Sequence, residues 1–207
     1  MGVAERRLRE KDELRQRILD AATELFVQEG FDNVSIRKIA DKIEYSPTTI
    51  YLHFKDKAEL IDSICGHVFE GLAQALEEIE CLGLPPLEAL RRSIHRYIEF
   101  GLAHPNHYIV LFCLPKPDDF NEILREQKLN RDDPGMVCFG KLRAGVAKGM
   151  DSGDLRLADL ETTSQSMFMM MHGVTAALIT MKPFPWVEKS ALIDTSVEGI
   201  IRGFSAR

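Results

Sequence analysis

Apolar residues recur three and four positions apart along almost the whole chain, and nowhere do they keep up the period of two that a half-buried strand needs. That regularity points to helices throughout. From Asp12 the positions Leu14, Ile18, Leu19, Ala22, Leu25 and Phe26 follow it, and Gly30 closes the run as a helix C-cap. Ser35 is placed to cap a second helix carrying Ile36, Ile39, Ala40 and Ile43. Ser46 caps a third, with Pro47 at the first helical position, where a missing N–H costs nothing. This third helix is expected over residues 47–54, and Asp56 should cap a fourth that reaches about Glu80. The stretch CLGLPP then breaks the pattern. Further helices are expected over 87–103, 105–114, 119–130, 135–149, 158–180 and 186–204, with Asp151 or Asp154 near a helix start. The expected fold is all-α, about nine helices in total: an N-terminal three-helix bundle over 1–57 and a larger helical domain over 58–207.

The 207 residues carry a net charge of −6. Residues 1–57 hold eleven Lys and Arg against eleven Asp and Glu, leaving fifteen against twenty-one for the remainder. The N-terminal part therefore lies on the favourable side of the asymmetry for a polyanion partner, because binding follows where charge sits and not its total. No run of about eighteen apolar residues occurs, so no membrane span is expected. MGVAERRLREKDELRQR lacks the apolar stretch of a secretory signal. Cys65, Cys81, Cys113 and Cys138 are scattered, without a CxxC pair, and read as reduced cytosolic thiols. His95, His104, His107 and His172 have no Cys or carboxylate at ligand spacing, so neither metal nor cofactor is expected. Gly-x-Ser-x-Gly, P-loop and dinucleotide fingerprints are all missing, which leaves an enzyme as an alternative without a motif.

The chemistry concentrates in YSPTTIYLHFKDKAEL, residues 45–60. The second and third helices are short and joined by Ile43-Glu44-Tyr45, the layout of a helix-turn-helix whose second helix enters the major groove. Ile50 and Phe54, one turn apart, should anchor that helix. Thr48, Tyr51, Leu52 and Lys55 share another face, and Thr49 and His53 are one turn apart. Hydroxyl, phenol, imidazole and ammonium groups are the ones that contact phosphates and base edges. Ser46 and Pro47 sit at the helix end that enters the groove. The free N–H groups of the fourth helix, with Lys55 and Lys57 beside them, offer a seat for a phosphate. Arg6, Arg7, Arg9 and Lys11 read either as a frayed end or as a basic arm on the DNA.

SIRKIADKIEYSPTTIYLHFKDKAEL, extended back through ILDAATELFVQEGFDNVSI, resembles the tetracycline-repressor-like (TetR/AcrR) family of regulators over about residues 12–64. The resemblance implies a cytoplasmic homodimer that holds a double-stranded DNA operator and releases it when a small molecule binds the C-terminal domain. Matched by position, it places Ser35 and Arg37 near phosphates, Thr48 and Thr49 against bases, and Tyr51, His53 and Lys57 on the backbone. The family usually has Gly where this chain has Glu44, which implies positive φ at a residue with a Cβ. A protein-interaction module with impaired DNA binding is the alternative that Glu44 raises.

AHPNHYIVLF and SMFMMMHGVTAALIT resemble a branch with a Trp-His-Gly signature, with Phe168 in the Trp position before His172-Gly173. Phe168, Met171, His172 and Thr175 form one helical stripe, and Tyr97, Phe100, Tyr108, Phe112 and Phe139 add aromatics from other helices. Together they read either as core packing or as a pocket for a largely apolar or aromatic effector. Gly173, Ala176 and Ala177 with Gly199 and Gly203 offer the last two helices for dimerisation. One helix-turn-helix reads too few base pairs, so a two-fold pair is expected.

Overall fold

Each expected start signal in the N-terminal third is occupied as a cap. The computed structural model describes residues 2–115 and 133–206. Helix α1 is Val3–Glu29, and Gly30 ends it with φ 80, its N–H donating to the Phe26 carbonyl at 2.9 Å. Helix α2 is Ile36–Lys42, capped by Ser35, whose Oγ accepts from the Lys38 N–H at 3.2 Å. Helix α3 is Pro47–Tyr51, capped by Ser46, whose Oγ accepts from the Thr49 N–H at 3.2 Å. Helix α4 is Lys57–Cys81, and Asp56 takes the Glu59 N–H at 2.8 Å.

The remaining helices are α5 Pro86–Ala103, α6 Pro105–Tyr108 running on into a π-helical turn Ile109–Cys113, α7 Pro134–Asp151, α8 Leu160–Thr180 and α9 Lys189–Phe204. The expected helix over 119–130 lies outside the described residues. Among the described residues the only β-type pairing is an isolated bridge between Leu155 and Ser205. None of the described helices is long and apolar enough to cross a membrane.

Three helix starts differ from expectation by more than one residue, each for a local reason. Helix α1 starts nine residues before Asp12, so Arg6, Arg7, Arg9 and Lys11 are helical and not a frayed end. This stretch is exposed and has no apolar stripe to reveal it. It is supported instead by i,i+4 pairs, Arg6–Glu10 at 3.4 Å and Arg9–Glu13 at 3.7 Å. Helix α8 is opened by Asp159, which accepts from the Thr162 N–H at 2.8 Å, and not by Asp151 or Asp154. Helix α9 starts at Lys189 behind Glu188, which accepts from the Ala191 N–H at 2.9 Å and whose carboxyl is held down to about 2 by the Ser190 hydroxyl and these backbone N–H groups. Trp186 stays in the preceding loop, its ring tilted against Phe184 with centroids 4.3 Å apart.

Two compact units partition the chain. The first holds residues 1–67 and the described part of 106–127; the second holds 68–105 and the described part of 128–207, so the division runs through α4. The core of the first unit is built on Ile18, Phe26, Phe31, Ile39, Ile50 and Phe54, each at most 2% exposed. In the second, α5, α7, α8 and α9 pack around Ile94, Ile98, Val146, Met167, Val197 and Ile201. Arg91 of α5 reaches Glu198 of α9 at 2.5 Å, and His95 reaches Asp194 at 2.7 Å, along the same helix pair. Gly149 is required in this unit, because a Cβ there would lie 2.8 Å from the Leu155 side chain.

Glu44 has φ 62 and is the one non-glycine residue with positive φ among the described residues. That conformation costs an L-residue about 1–2 kcal/mol. Replacement by glycine removes the strain but adds about 0.4–1 kcal/mol of unfolded-chain entropy. Glu44→Gly should therefore gain about 1 kcal/mol net and raise Tm by roughly 2–4 °C, while Glu44→Ala, which keeps the Cβ, should leave Tm where it is; calorimetry of the three proteins distinguishes them.

Candidate nucleic-acid interface

Helix α3 has an inner and an outer face, and its capping and packing decide which side chains reach solvent. Ile50 is 0% exposed and Phe54 1%, so both are spent on the core. Thr48, Tyr51, Leu52 and Lys55 are exposed on the other side. The helix proper stops at Tyr51, three residues before the expected end, and Leu52, His53 and Phe54 continue it as turns. Their N–H groups donate to Thr48, to Ile50 at 2.9 Å and to Ile50 at 3.0 Å.

Not every polar group of the segment is available to a ligand. The Ser46 and Thr49 hydroxyls are bonded to each other at 2.9 Å, so Thr49, half-buried, is partly committed to the cap. Lys57 is half-buried, and its ammonium donates to the Phe31 carbonyl at 2.6 Å and the Val34 carbonyl at 3.3 Å, tying the loop before α2 to α4. Two backbone N–H groups around the expected phosphate seat at the start of α4 are bonded from within. Asp56 takes the Glu59 N–H and Glu59 takes the Lys55 N–H at 2.5 Å, because a carboxylate at N3 reaches back across the helix end as in a capping box. Ser35 uses its Oγ as a cap, while Arg37 is exposed and has no ion pair among the described residues. The two other cations of α2 are paired, Lys38 with Glu29 and Lys42 with Glu24 at 2.8 Å.

Two residues absent from the expected site hold it together. Arg15 of α1 donates to the His53 carbonyl at 3.0 Å and to the Ser63 hydroxyl at 3.0 Å, and its guanidinium sits 4.2 Å from the Phe54 ring centroid. One side chain therefore links α1, the end of α3 and α4. Arg17 donates to the Ile43 carbonyl at 3.5 Å and covers the Tyr45 ring at 5.4 Å, bracing the turn that contains Glu44. The signal for Arg15 was present: it falls on the stripe of Ile18, Leu19, Ala22 and Phe26, where a charge is out of place unless it is paired. His53 is half-buried, and its Nδ1 is buried without a hydrogen-bond partner. Burial first, then Lys11 and Arg15, holds its imidazole below the ordinary value of 6.5.

In the second unit Tyr97, Phe139, Phe168 and His172 form one cluster. Phe168 meets Tyr97 edge-on at 6.1 Å and Phe139 edge-on at 6.2 Å, and stacks on His172 at 5.6 Å. The Tyr97 hydroxyl lies 3.3 Å from His172 Nδ1, and burial lowers the His172 pKa. Met171 and Thr175 are buried, with the Thr175 hydroxyl donating to the Met171 carbonyl at 2.8 Å. Phe100 packs over Gly71 of α4 and against His104 at 4.7 Å. Tyr108 and Phe112 belong to the first unit, where their rings lie 4.9 Å apart.

Residues 18–64, which hold the helix-turn-helix, match the family described as bacterial regulatory proteins, tetR family. The HTH-type transcriptional regulator YhgD of Bacillus subtilis (strain 168) is 23% identical over 190 residues, 91% of this chain and 95% of its own. The HTH-type transcriptional repressor NicS of Pseudomonas putida is 28% identical over 154 residues, 72% of this chain and 71% of its own. The whole fold is similar to the TetR-family regulator PfmR of Thermus thermophilus, with a TM-score of 0.73, 21% identity and coverage of 90% of this chain and 97% of that one. It is also similar to the fatty acid degradation regulator FadR of Bacillus halodurans, with a TM-score of 0.77, 18% identity and coverage of 93% and 97%. Residues 18–64 thus carry the helix-turn-helix segment of the tetR family of bacterial regulatory proteins, and the relatives and structural neighbours support a DNA-binding transcriptional regulator.

Proposed function

We propose that the protein is a homodimeric, cytoplasmic repressor that leaves a palindromic operator when a largely apolar or aromatic small molecule binds its C-terminal domain. The observation that carries the DNA-reading part is the division of α3: Ile50 and Phe54 are buried while Thr48, Tyr51 and Lys55 stand in solvent around them. In this reading Ser46 and Pro47 bring the N-terminal end of α3 into the groove and Thr48 faces a base edge, with Thr49 beside it. Tyr51, His53, Lys55, Arg37 and Ser35 take phosphates. Lys57 serves mainly by holding the loop that carries Ser35, with one N–H left for the backbone.

NicS is a repressor, and repression suits a protein whose binding occupies promoter DNA. The effector site is proposed at the Tyr97–Phe139–Phe168–His172 cluster, extended by Phe100 and backed by Met171 and Thr175. Aromatic faces there suit an apolar ligand, and the Tyr97 hydroxyl with His172 supplies a polar handle. Tyr108 and Phe112 remain candidates for effector contact within their own unit. Release requires that the effector bind the DNA-free state better, and the coupling is reciprocal. The dimer is proposed through α8 and α9. On α8, Met169 is 70% exposed and Met170 49%, next to exposed Gly173, and a Cβ at Gly173, Gly199 or Gly203 would meet nothing within 4 Å in the single chain.

Selection of duplexes from a genomic fragment pool tests the function directly, and enrichment of no sequence above background would refute it. On an enriched operator, Thr48→Ala should cost about 1–3 kcal/mol and relax the preference at one position in each half-site, whereas Arg37→Ala should weaken all sequences alike and reduce the log–log salt slope by about 1 per half-site. Met170→Lys should convert dimer to monomer in sedimentation and abolish operator binding while each chain stays folded. DNA binding should tighten as pH falls from about 7 towards 6: phosphates favour the imidazolium of His53, whose pKa is lowered in the free protein, so the complex takes up a proton. His53→Asn should flatten that dependence in a titration series; an unchanged pH profile would remove His53 from the interface.

A further inference from the structure

Among the described residues of the first unit, four large apolar side chains are strongly exposed: Leu8, Tyr45, Tyr51 and Leu52. Three of the four lie within the helix-turn-helix segment. Two have an evident use there. The Tyr45 ring lies under Arg17, and Tyr51 carries a phenol that can bond a phosphate. Leu52 has neither. It is 76% exposed, the most of the four, and offers only hydrocarbon. A single exposed leucine is ordinary on a protein surface, but its position gives this one meaning. Its N–H donates to the Thr48 carbonyl at 3.2 Å, so it stands one turn beyond Thr48, and a helical side chain leans back towards the turn before its own. Leu52 thus shares the outward face of α3 with Thr48 and Tyr51.

We infer that Leu52 is a specificity-determining residue that reads thymine through its C5-methyl group. This rests on the DNA-reading face proposed above and names what one more position of that face recognises. In the major groove each base edge presents hydrogen-bonding groups, and the thymine methyl is the apolar exception. An isobutyl group set against any other edge covers donors and acceptors and returns no hydrogen bond, which is unfavourable. Set against a thymine, it removes methyl surface from water on both partners. One helical turn spans about 5.4 Å and a base-pair step about 3.4 Å, so the thymine lies one to two steps from the pair faced by Thr48, once in each half-site.

The test isolates a single methyl group. Wild-type protein and Leu52→Ala are each used to select duplexes from a random pool. Each thymine of the selected half-sites is then replaced in turn by deoxyuridine, which pairs identically and lacks the methyl. One replacement should weaken wild-type binding about fourfold per half-site, the worth of one buried methyl group. Leu52→Ala should bind more weakly from the outset, be indifferent to that replacement, and select either base pair orientation at that position. Its Tm should stay close to that of wild type, since the side chain is mostly exposed. If Leu52→Ala selects the same sequence with the same sensitivity to deoxyuridine, Leu52 does not read a methyl group, although Thr48 and its neighbours still read DNA. If wild type enriches no duplex, the reading face itself is wrong and this assignment falls with it.

Discussion

The pinning of α3 by Ile50 and Phe54 is the interaction on which the DNA-binding surface depends. A helix of five residues has no independent stability, since nucleation fixes several dihedral angles for the first hydrogen bond. Two side chains one turn apart, both sealed in the core, supply what the helix cannot. Phe54 is then covered by the Arg15 guanidinium, which also holds the carbonyl of His53 and the hydroxyl of Ser63. Helix α3 is therefore fixed from its C-terminal end by a residue of α1. At its N-terminal end the Ser46–Thr49 hydroxyl pair and the fixed φ of Pro47 do the same work locally.

Between α2 and α3 the chain accepts a local penalty. Glu44 takes up the left-handed conformation that the tight connection requires, in spite of its Cβ. The connection nevertheless keeps its hydrogen bonds: the Glu44 N–H donates to the Asp41 carbonyl at 3.3 Å and the Tyr45 N–H to the Ala40 carbonyl at 3.0 Å. Arg17 adds a donor to the Ile43 carbonyl and a cation over the Tyr45 ring, one on each side of the strained residue. Strain persists only where the surroundings over-determine it. Here these surroundings are α1 and the closed ends of two short helices, so the turn is geometrically sound and only energetically imperfect. Its departure from glycine is thus weak ground for assigning the protein a role without DNA.

The N-terminal architecture was legible because its signals are local. Ser35, Ser46 with Pro47, Asp56 and Gly30 each mark a helix end by a bond within a few residues, and each is found making it. The apolar spacing likewise separated Ile50 and Phe54 from Thr48 and Tyr51. Signals that depend on non-local partners were not legible. Lys57 looks like a surface cation by composition, and only the fold turns its ammonium towards Phe31 and Val34. At the start of α4 the Glu59 carboxylate looks free until it is seen to reach back to the Lys55 N–H. Residues 3–11 carry charge pairs in place of an apolar stripe, so periodicity is silent about their helix. The same applies to the aromatic residues: one helical stripe placed Phe168 beside His172, but only packing decides that Tyr97 and Phe139 join them and that Met171 and Thr175 turn to the core.

These commitments narrow the reading surface. Ser46 and Thr49 share one hydrogen bond, Lys38 and Lys42 are paired with glutamates, and Lys57 is turned inward. What remains outward on the helix-turn-helix includes Arg37, Thr48, Tyr51, Leu52 and Lys55, with Asp41, Glu44 and Tyr45 exposed beside them. Arg37 and Lys55 are cations, and in the proposed reading they supply sequence-independent affinity while Tyr51 serves groove or backbone. In the proposed reading, Thr48 and Leu52 are the side chains on α3 that discriminate bases: one by a hydroxyl that suits several edges, the other by a hydrocarbon that suits one. A reader so sparing per half-site gains usable specificity only by repetition. The second copy proposed above would supply that repetition.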